Sequence, residues 1–231
     1  MSSLTIHHAL VLTKQLFDAE GVMFYWINEY NQSAYITDCI NVSHDFIDSY
    51  HRELQDLDPL NVKNFLKSKE AFSSLTECRR HHPCTELSVY DNYIKTYGIE
   101  ETFDLLFWKN NHAYAGIGVT NPNLKQLDQS QIKSLHYILE QNLLQLKPIQ
   151  KNIIFHYLEN YSLTNREKEV CLYLLDGLSN SEIAEYMGIK VGTVKINLNR
   201  ILDKLNLTCR LQIAKQLNAL FQLPDHAVMQ A

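Results

Sequence analysis

The chain is short of the residues that usually announce catalysis, cross-linking or membrane insertion. It has seven glycines and five prolines in 231 residues, and no repeat or low-complexity segment stands out. No Gly-rich phosphate loop, nucleophile elbow, paired-carboxylate motif or HExxH occurs, so an enzyme reading finds no named catalytic group and no cofactor is expected. The five cysteines (Cys39, Cys78, Cys84, Cys171 and Cys209) are odd in number and lack framework spacing, which fits reduced thiols in a cytoplasm. No apolar run approaches bilayer length; residues 103–108 make a buried strand at most. No basic start precedes an apolar stretch, so no secretory signal is expected and the chain reads as cytoplasmic, without a membrane partner. No acidic cluster closes an early strand, which argues against a phosphorylated receiver.

What is present is concentrated in the last seventy residues. Thr164 with Glu167 and Ser179 with Glu182 are two capping boxes, each with a hydroxyl for an orphan N–H and a carboxylate reaching back. Met187-Gly188-Ile189 then forms a tight apolar turn, and a third helix opens between Lys190 and Thr193. Val191, Val194, Leu198, Ile201, Leu202 and Leu205 recur at helical spacing as its inward face. Thr193, Ile196, Asn197, Arg200 and Lys204 share the other side, flanked by Lys195 and Asn199. A branched apolar group beside Asn and Arg suits a major groove, where it meets a thymine methyl while its neighbours read base edges. The charge segregates in the same way. Residues 190–215 hold six Lys or Arg against one acid, Asp203, whereas residues 163–189 hold two against five. An ordinary amphipathic helix with a solvated basic face is the competing reading. Two boxes, a glycine turn and the charge split together favour a helix-turn-helix head that binds double-stranded DNA.

This stretch resembles the LuxR-type helix-turn-helix. The matching residues run from Leu163-Thr164 and Arg166-Glu167 through Gly177-Leu178-Ser179-Asn180, Glu182-Ile183-Ala184, Gly188-Ile189 and Gly192-Thr193-Val194-Lys195 to Leu202, Lys204 and Leu205. The resemblance implies a four-helix domain whose third helix enters the major groove and whose fourth often dimerises. It puts the DNA contacts at Lys190, Thr193, Val194, Lys195, Asn197, Arg200 and Lys204. It also implies a homodimer on a palindromic operator, with Leu217, Leu220 and Phe221 as apolar dimer candidates. Asn197 stands where His is usual, Asn206 replaces the usual Gly at the end of the third helix, and Leu211-Gln212 replaces Thr-Glu at the start of the fourth. Asn tolerates the left-handed conformation, so the cap at Asn206 can survive; the last exchange weakens the next N-cap.

The predicted organisation is α+β: a sensor-like α/β/α sandwich over residues 1–147 with a mainly antiparallel sheet, a connection over 148–162, and an all-α head over 163–231. Helices are expected at 3–19, 42–57, 86–97 (capped by Thr85) and 127–146, the last opened by an Asp128/Gln131 capping box. Strands are expected at 23–27, 35–40, 103–109 and 114–119. Such a sandwich encloses a small-molecule pocket. Residues 1–161 carry 13 basic and 19 acidic side chains, so this part should stay off DNA.

The order of these elements resembles the N-terminal domains of LuxR-type regulators, which are similar to GAF and PAS folds. Phe46-x-x-x-Tyr50 followed by Asp58-Pro59-Leu60 resembles the quorum-sensing acyl-homoserine-lactone receptors. That resemblance implies Asp58 as acceptor of a ligand amide N–H and Tyr50 as donor to a carbonyl, with Phe46 and Phe72 lining the site. Phe46 stands where those receptors usually have Trp, and Ala71-Phe72-Ser73 occupies the zone of another expected Trp. Losing that indole donor should make the site reject lactones. Asp58-Pro59 alone reads equally as a helix stop. Cys78, His81, His82 and Cys84 offer metal-ligand types, but so close together, beside Arg79 and Arg80, they read better as a solvated loop, and no metal is expected. The functional expectation is a transcription regulator whose N-terminal domain senses a small molecule; a ligand-free dimerisation or protein-interaction (anti-activator) module is the alternative.

Overall fold

A computed structural model describes residues 2–81 and 84–222. The chain divides between Leu146 and Lys147 into two units. In the first, β1 (Gly21–Asn28), β2 (Ser33–Ile40), β3 (Phe72–Ser74), β4 (Thr102–Lys109) and β5 (His112–Thr120) form one sheet in the order β2-β1-β5-β4-β3, every described pair antiparallel. The β-branched and aromatic runs make these strands, and period-two alternation gives each face its own core. Helix α1 (Ser2–Leu16) and helix α6 (Gln129–Leu143) pack on one face. There Phe17 lies 5.0 Å from Phe103 and Phe107 lies 5.0 Å from His136, ring to ring. The expected capping box opens α6, with both Asp128 and Gln131 engaged.

Helices α2 (His44–Ser49), α3 (Val62–Ser68), α4 (Leu75–His81) and α5 (Cys84–Lys95) belong with the opposite face. Phe46, Leu54, Val62, Phe65, Tyr90 and Ile94 share a core there with Met23, Tyr25, Leu106 and Trp108. The result is an α+β sandwich. The helix expected over 42–57 starts at His44 and widens into a π-helical turn, Tyr50–Leu54. Asp58 stops it, and its Oδ1 accepts the Leu60 N–H at 2.8 Å, a local bond that competes with the helical ladder. Helix α3, strand β3 and the first residues of α4 occupy a region to which the sequence pattern assigns no element. Their shortness, three to seven residues each, is why no periodicity shows.

The second unit holds α7 (Lys147–Glu159), α8 (Asn165–Leu175), α9 (Asn180–Met187), α10 (Val191–Leu205) and α11 (Arg210–Gln222). The expected connection is a helix belonging to this unit: Ile154 and Leu158 of α7 join its core. Lys168, itself buried, pairs with Glu159 at 3.2 Å and lies over the Phe155 ring at 5.4 Å. Both capping boxes form. Gly188 (φ 62°) and Asn206 (φ 54°) close α9 and α10 in the left-handed region, the conformation glycine adopts freely and asparagine tolerates. At α11 the Gln212 side chain caps backward, accepting the Thr208 N–H at 2.8 Å. Among the described residues no helix is long and apolar enough to cross a membrane.

Candidate functional sites: a recognition helix and a buried acidic cavity

Helix α10 is a two-faced element. Val194, Leu198, Ile201 and Leu205 are buried against α8, α9 and α11. Thr193, Lys195, Ile196, Asn199 and Arg200 are exposed and Asn197 half-buried, with Lys190 exposed as the N-cap. An isoleucine more than half exposed (53%) between basic and amide side chains is the groove-facing pattern the sequence suggested. Two of the expected contact residues are placed otherwise. Val194 is fully buried, because it lies on the inward stripe. Lys204 turns back into the domain: its Nζ lies 2.7 Å from the buried Glu167 carboxylate and donates to Ser162 O at 3.0 Å. Burial by itself would raise the Glu167 carboxyl, but Lys204 and the Thr164 N–H and hydroxyl outweigh it and hold it below its ordinary value. On α11, Leu217 and Leu220 belong to the domain's own core and Phe221 packs against it, while Leu211 is 74% exposed. Leu217 and Leu220 are thus buried within the domain itself.

The N-terminal unit holds a partly open cavity of about 30 Å³ lined by residues that include Met23, Tyr25, Phe46, Tyr50, Asp58, Tyr90, Thr102 and Asp104. Tyr50 donates to Asp58 Oδ2 at 2.8 Å, and the nearby Tyr90 hydroxyl also favours the charged form of Asp58. Tyr25 donates to Asp104 Oδ1 at 2.7 Å. Burial pushes Asp58 up to about 6 against the pull of its donors. Burial, and the nearby Asp58 charge after it, push Asp104 up to about 8. The same burial, reinforced by the carboxylates, moves all three phenols well above their ordinary range. They are fixed donors at any physiological pH.

Of the expected pocket residues, Phe46, Tyr50 and Asp58 come together here. Phe72 does not. It pairs with Leu105, which puts it on the α1/α6 face, where its ring stacks 6.0 Å from Phe103; its neighbour Ser73 pairs with Asp104 on the cavity side. Asp104 and Thr102 escape a reading of the sequence, and Tyr25 and Tyr90 read there as sheet and core aromatics. One signal was available: Asp104 is the lone charge inside the apolar run Phe103 to Trp108, and a buried carboxylate needs a reason. The described residues of the expected loop around Cys78 are helical instead: Cys78 to His81 end α4 and Cys84 opens α5. Cys78 is half-buried with its thiol pushed up to about 11 by burial. Arg79 pairs with Asp91 at 2.9 Å and Glu101 at 3.6 Å, partners far along the chain that hold the segment in place. His82, and the side chains of His81 and Cys84, lie outside the described residues.

These two sites define a helix-turn-helix head and an α/β domain with a cavity. Residues 161–217 match the family described as bacterial regulatory proteins, luxR family (GerE), and the C-terminal unit is therefore a LuxR-family helix-turn-helix domain. Two curated relatives are similar over part of their length. A probable transcriptional regulator, ycf29 of Guillardia theta, is 35% identical over 88 residues, 38% of this chain and 41% of that protein. The transcriptional regulatory protein DesR of Bacillus subtilis is 43% identical over 56 residues, 24% of this chain and 28% of that one. The chain thus matches less than half the length of either relative. Among solved structures, Escherichia coli SdiA is similar over 96% of this chain and 92% of its own, with a TM-score of 0.50 and 16% identity, a likeness of fold.

Proposed function

We propose that the chain is a transcription regulator that binds double-stranded DNA as a homodimer on a palindromic operator, under control of a small molecule held in its N-terminal cavity. The exposed face of α10 carries the first half of this reading. A capped helix that buries Val194, Leu198 and Ile201 while presenting Thr193, Lys195, Ile196, Asn197 and Arg200 matches a major-groove reader. Lys190, Lys195 and Arg200 supply phosphate contacts, and Arg200 reaches guanine where the register allows. Thr193, Ile196 and Asn197 read sequence. The partly open cavity with its fixed phenols supports the second half.

Binding to a site selected from random DNA, followed by salt titration, tests the assignment. Lys195→Ala and Arg200→Ala each weaken binding to every sequence and reduce the salt slope by about one unit per lost phosphate contact. Asn197→Ala changes the selected sequence instead. An unchanged slope in both lysine and arginine variants would remove the helix from the groove. If native mass spectrometry finds the purified chain dimeric and repeatedly empty, the N-terminal unit is a dimerisation or protein-interaction module rather than a sensor.

A further inference from the structure

Two buried carboxylates in one small cavity are an unusual thing for a fold to keep. Asp58 and Asp104 both line it, and among the described residues no lining side chain is basic. The titratable groups that face the pair are Tyr25 from β1, Tyr50 from the π-helical turn, Tyr90 from α5 and the Cys78 thiol of α4. None of these brings a positive charge. Tyr50 and Tyr25 already spend their hydrogens on the two acids. Thr102, more than nine-tenths buried, also lines the cavity, and its Oγ1 has no hydrogen-bond partner. A buried polar atom left in that state is costly, so something of complementary chemistry belongs opposite it.

We infer that the cavity takes the ammonium head of a small organic cation, an alkyl or aryl ammonium, whose N–H groups are shared among Asp58, Asp104 and Thr102 while its carbon body leaves through the open side of the cavity. An ammonium carries several donors and no acceptor, which matches three acceptors whose other neighbours are committed. The rings of Phe46, Tyr25, Tyr50 and Tyr90 line the same cavity and keep bulk water from the ammonium head. A divalent metal fits less well, since it calls for six or more oxygen ligands and the rest of the wall is apolar, with Met23, Ile36, Leu60, Val62 and Val119 among it. A neutral lactone leaves one carboxylate unmatched. This inference rests on the sensor reading above and names the class of signal for that site.

The full-length chain is titrated with n-butylamine, with its neutral counterpart 1-butanol, with hexanoyl-homoserine lactone, and with Mg²⁺ or Ca²⁺ alone. Butylammonium is expected to bind about tenfold or more tightly than butanol, as one charge-assisted hydrogen bond requires. Because Asp104 holds its proton near neutrality in the free protein, binding at pH 7 should expel roughly one proton. That release is read as a dependence of the calorimetric heat on the ionisation enthalpy of the buffer, and it needs no variant. Asp104→Asn, which keeps the shape, should abolish both the proton release and the preference for the amine. Equal binding of amine and alcohol, or binding of the lactone without the amine, overturns the inference and leaves a sensor of another class. Metal binding that Asp104→Asn abolishes, with no amine effect, also overturns it. Binding of no probe overturns it as well, and native mass spectrometry of the chain as isolated then decides separately whether any ligand is carried.

Discussion

At the scale of single residues, the position of Tyr25 depends on what Gly116 lacks. The two are opposite one another in the β1–β5 register, and a Cβ at Gly116 would lie 2.3 Å from Tyr25 Cζ. The ring therefore lies directly on the glycine, which lets its hydroxyl reach Asp104. Gly116→Ala must move either a central strand or the ring. We expect a loss of about 1–3 kcal/mol from overpacking, read as a lower urea midpoint for the N-terminal unit, together with a lost donor at Asp104. A midpoint equal to that of the parent would mean that the ring swings aside freely and that Asp104 does not depend on it. The same residues mark what the sequence discloses about the site. Tyr50 and Asp58 are eight positions apart and joined by a helix stop, so their pairing is legible. Tyr25 and Asp104 are 79 positions apart, and the order of strands in the sheet is what brings them together.

At the scale of elements, α10 divides its basic side chains between two tasks. Lys195 and Arg200 stand exposed, whereas Lys204 closes the far end of the helix onto the first capping box through Glu167, whose side chain is 3% exposed. Lys204→Ala leaves that carboxylate buried with its cap donors alone. Since Lys204 itself is partly solvated, the expected cost is about 1–3 kcal/mol, seen in the thermal transition of the C-terminal unit, while the salt slope of DNA binding changes less than for Lys195→Ala. Lys195→Ala should leave the transition where it is. If Lys204→Ala instead cuts the slope by a full unit with no thermal effect, the lysine belongs to DNA. Helical periodicity sets Lys204 on the same side as Arg200, and a partner 37 positions away is invisible to periodicity. The capping boxes and the left-handed cap at Asn206 were legible because each is local. The role of Leu217 and Leu220 was not, because an amphipathic stripe does not say what covers it. Helix α7 was hidden similarly: Ile154 and Leu158 reveal their unit only through the core they join.

At the scale of the whole molecule, the two units respond to pH in opposite directions. In the N-terminal unit Asp58 and Asp104 titrate in the folded state at about 6 and about 8, above the ordinary aspartate value. The folded form therefore holds protons that the unfolded chain has already released. The associated stability is complete below about pH 4 and declines as pH rises through 6 and 8, by up to about 1.4 kcal/mol per pH unit for each group. In the C-terminal unit Glu167 lies below its ordinary value, so its contribution is present at neutral pH and disappears as pH falls through that lowered pKa. Both tryptophans, Trp26 and Trp108, lie in the first unit, so their fluorescence follows that unit alone, while helical circular dichroism at 222 nm weights the all-α unit. Raising pH from 6 to 9 should lower the fluorescence-detected melting temperature and leave the main helical transition nearly unmoved. Asp104→Asn should flatten much of that alkaline decline, because Asn stays neutral and its oxygen can still accept from Tyr25. A fluorescence transition that holds or rises between pH 6 and 9 would mean that Asp58 and Asp104 are ionised and compensated in the folded chain, and the cavity would then need a fixed cation of its own.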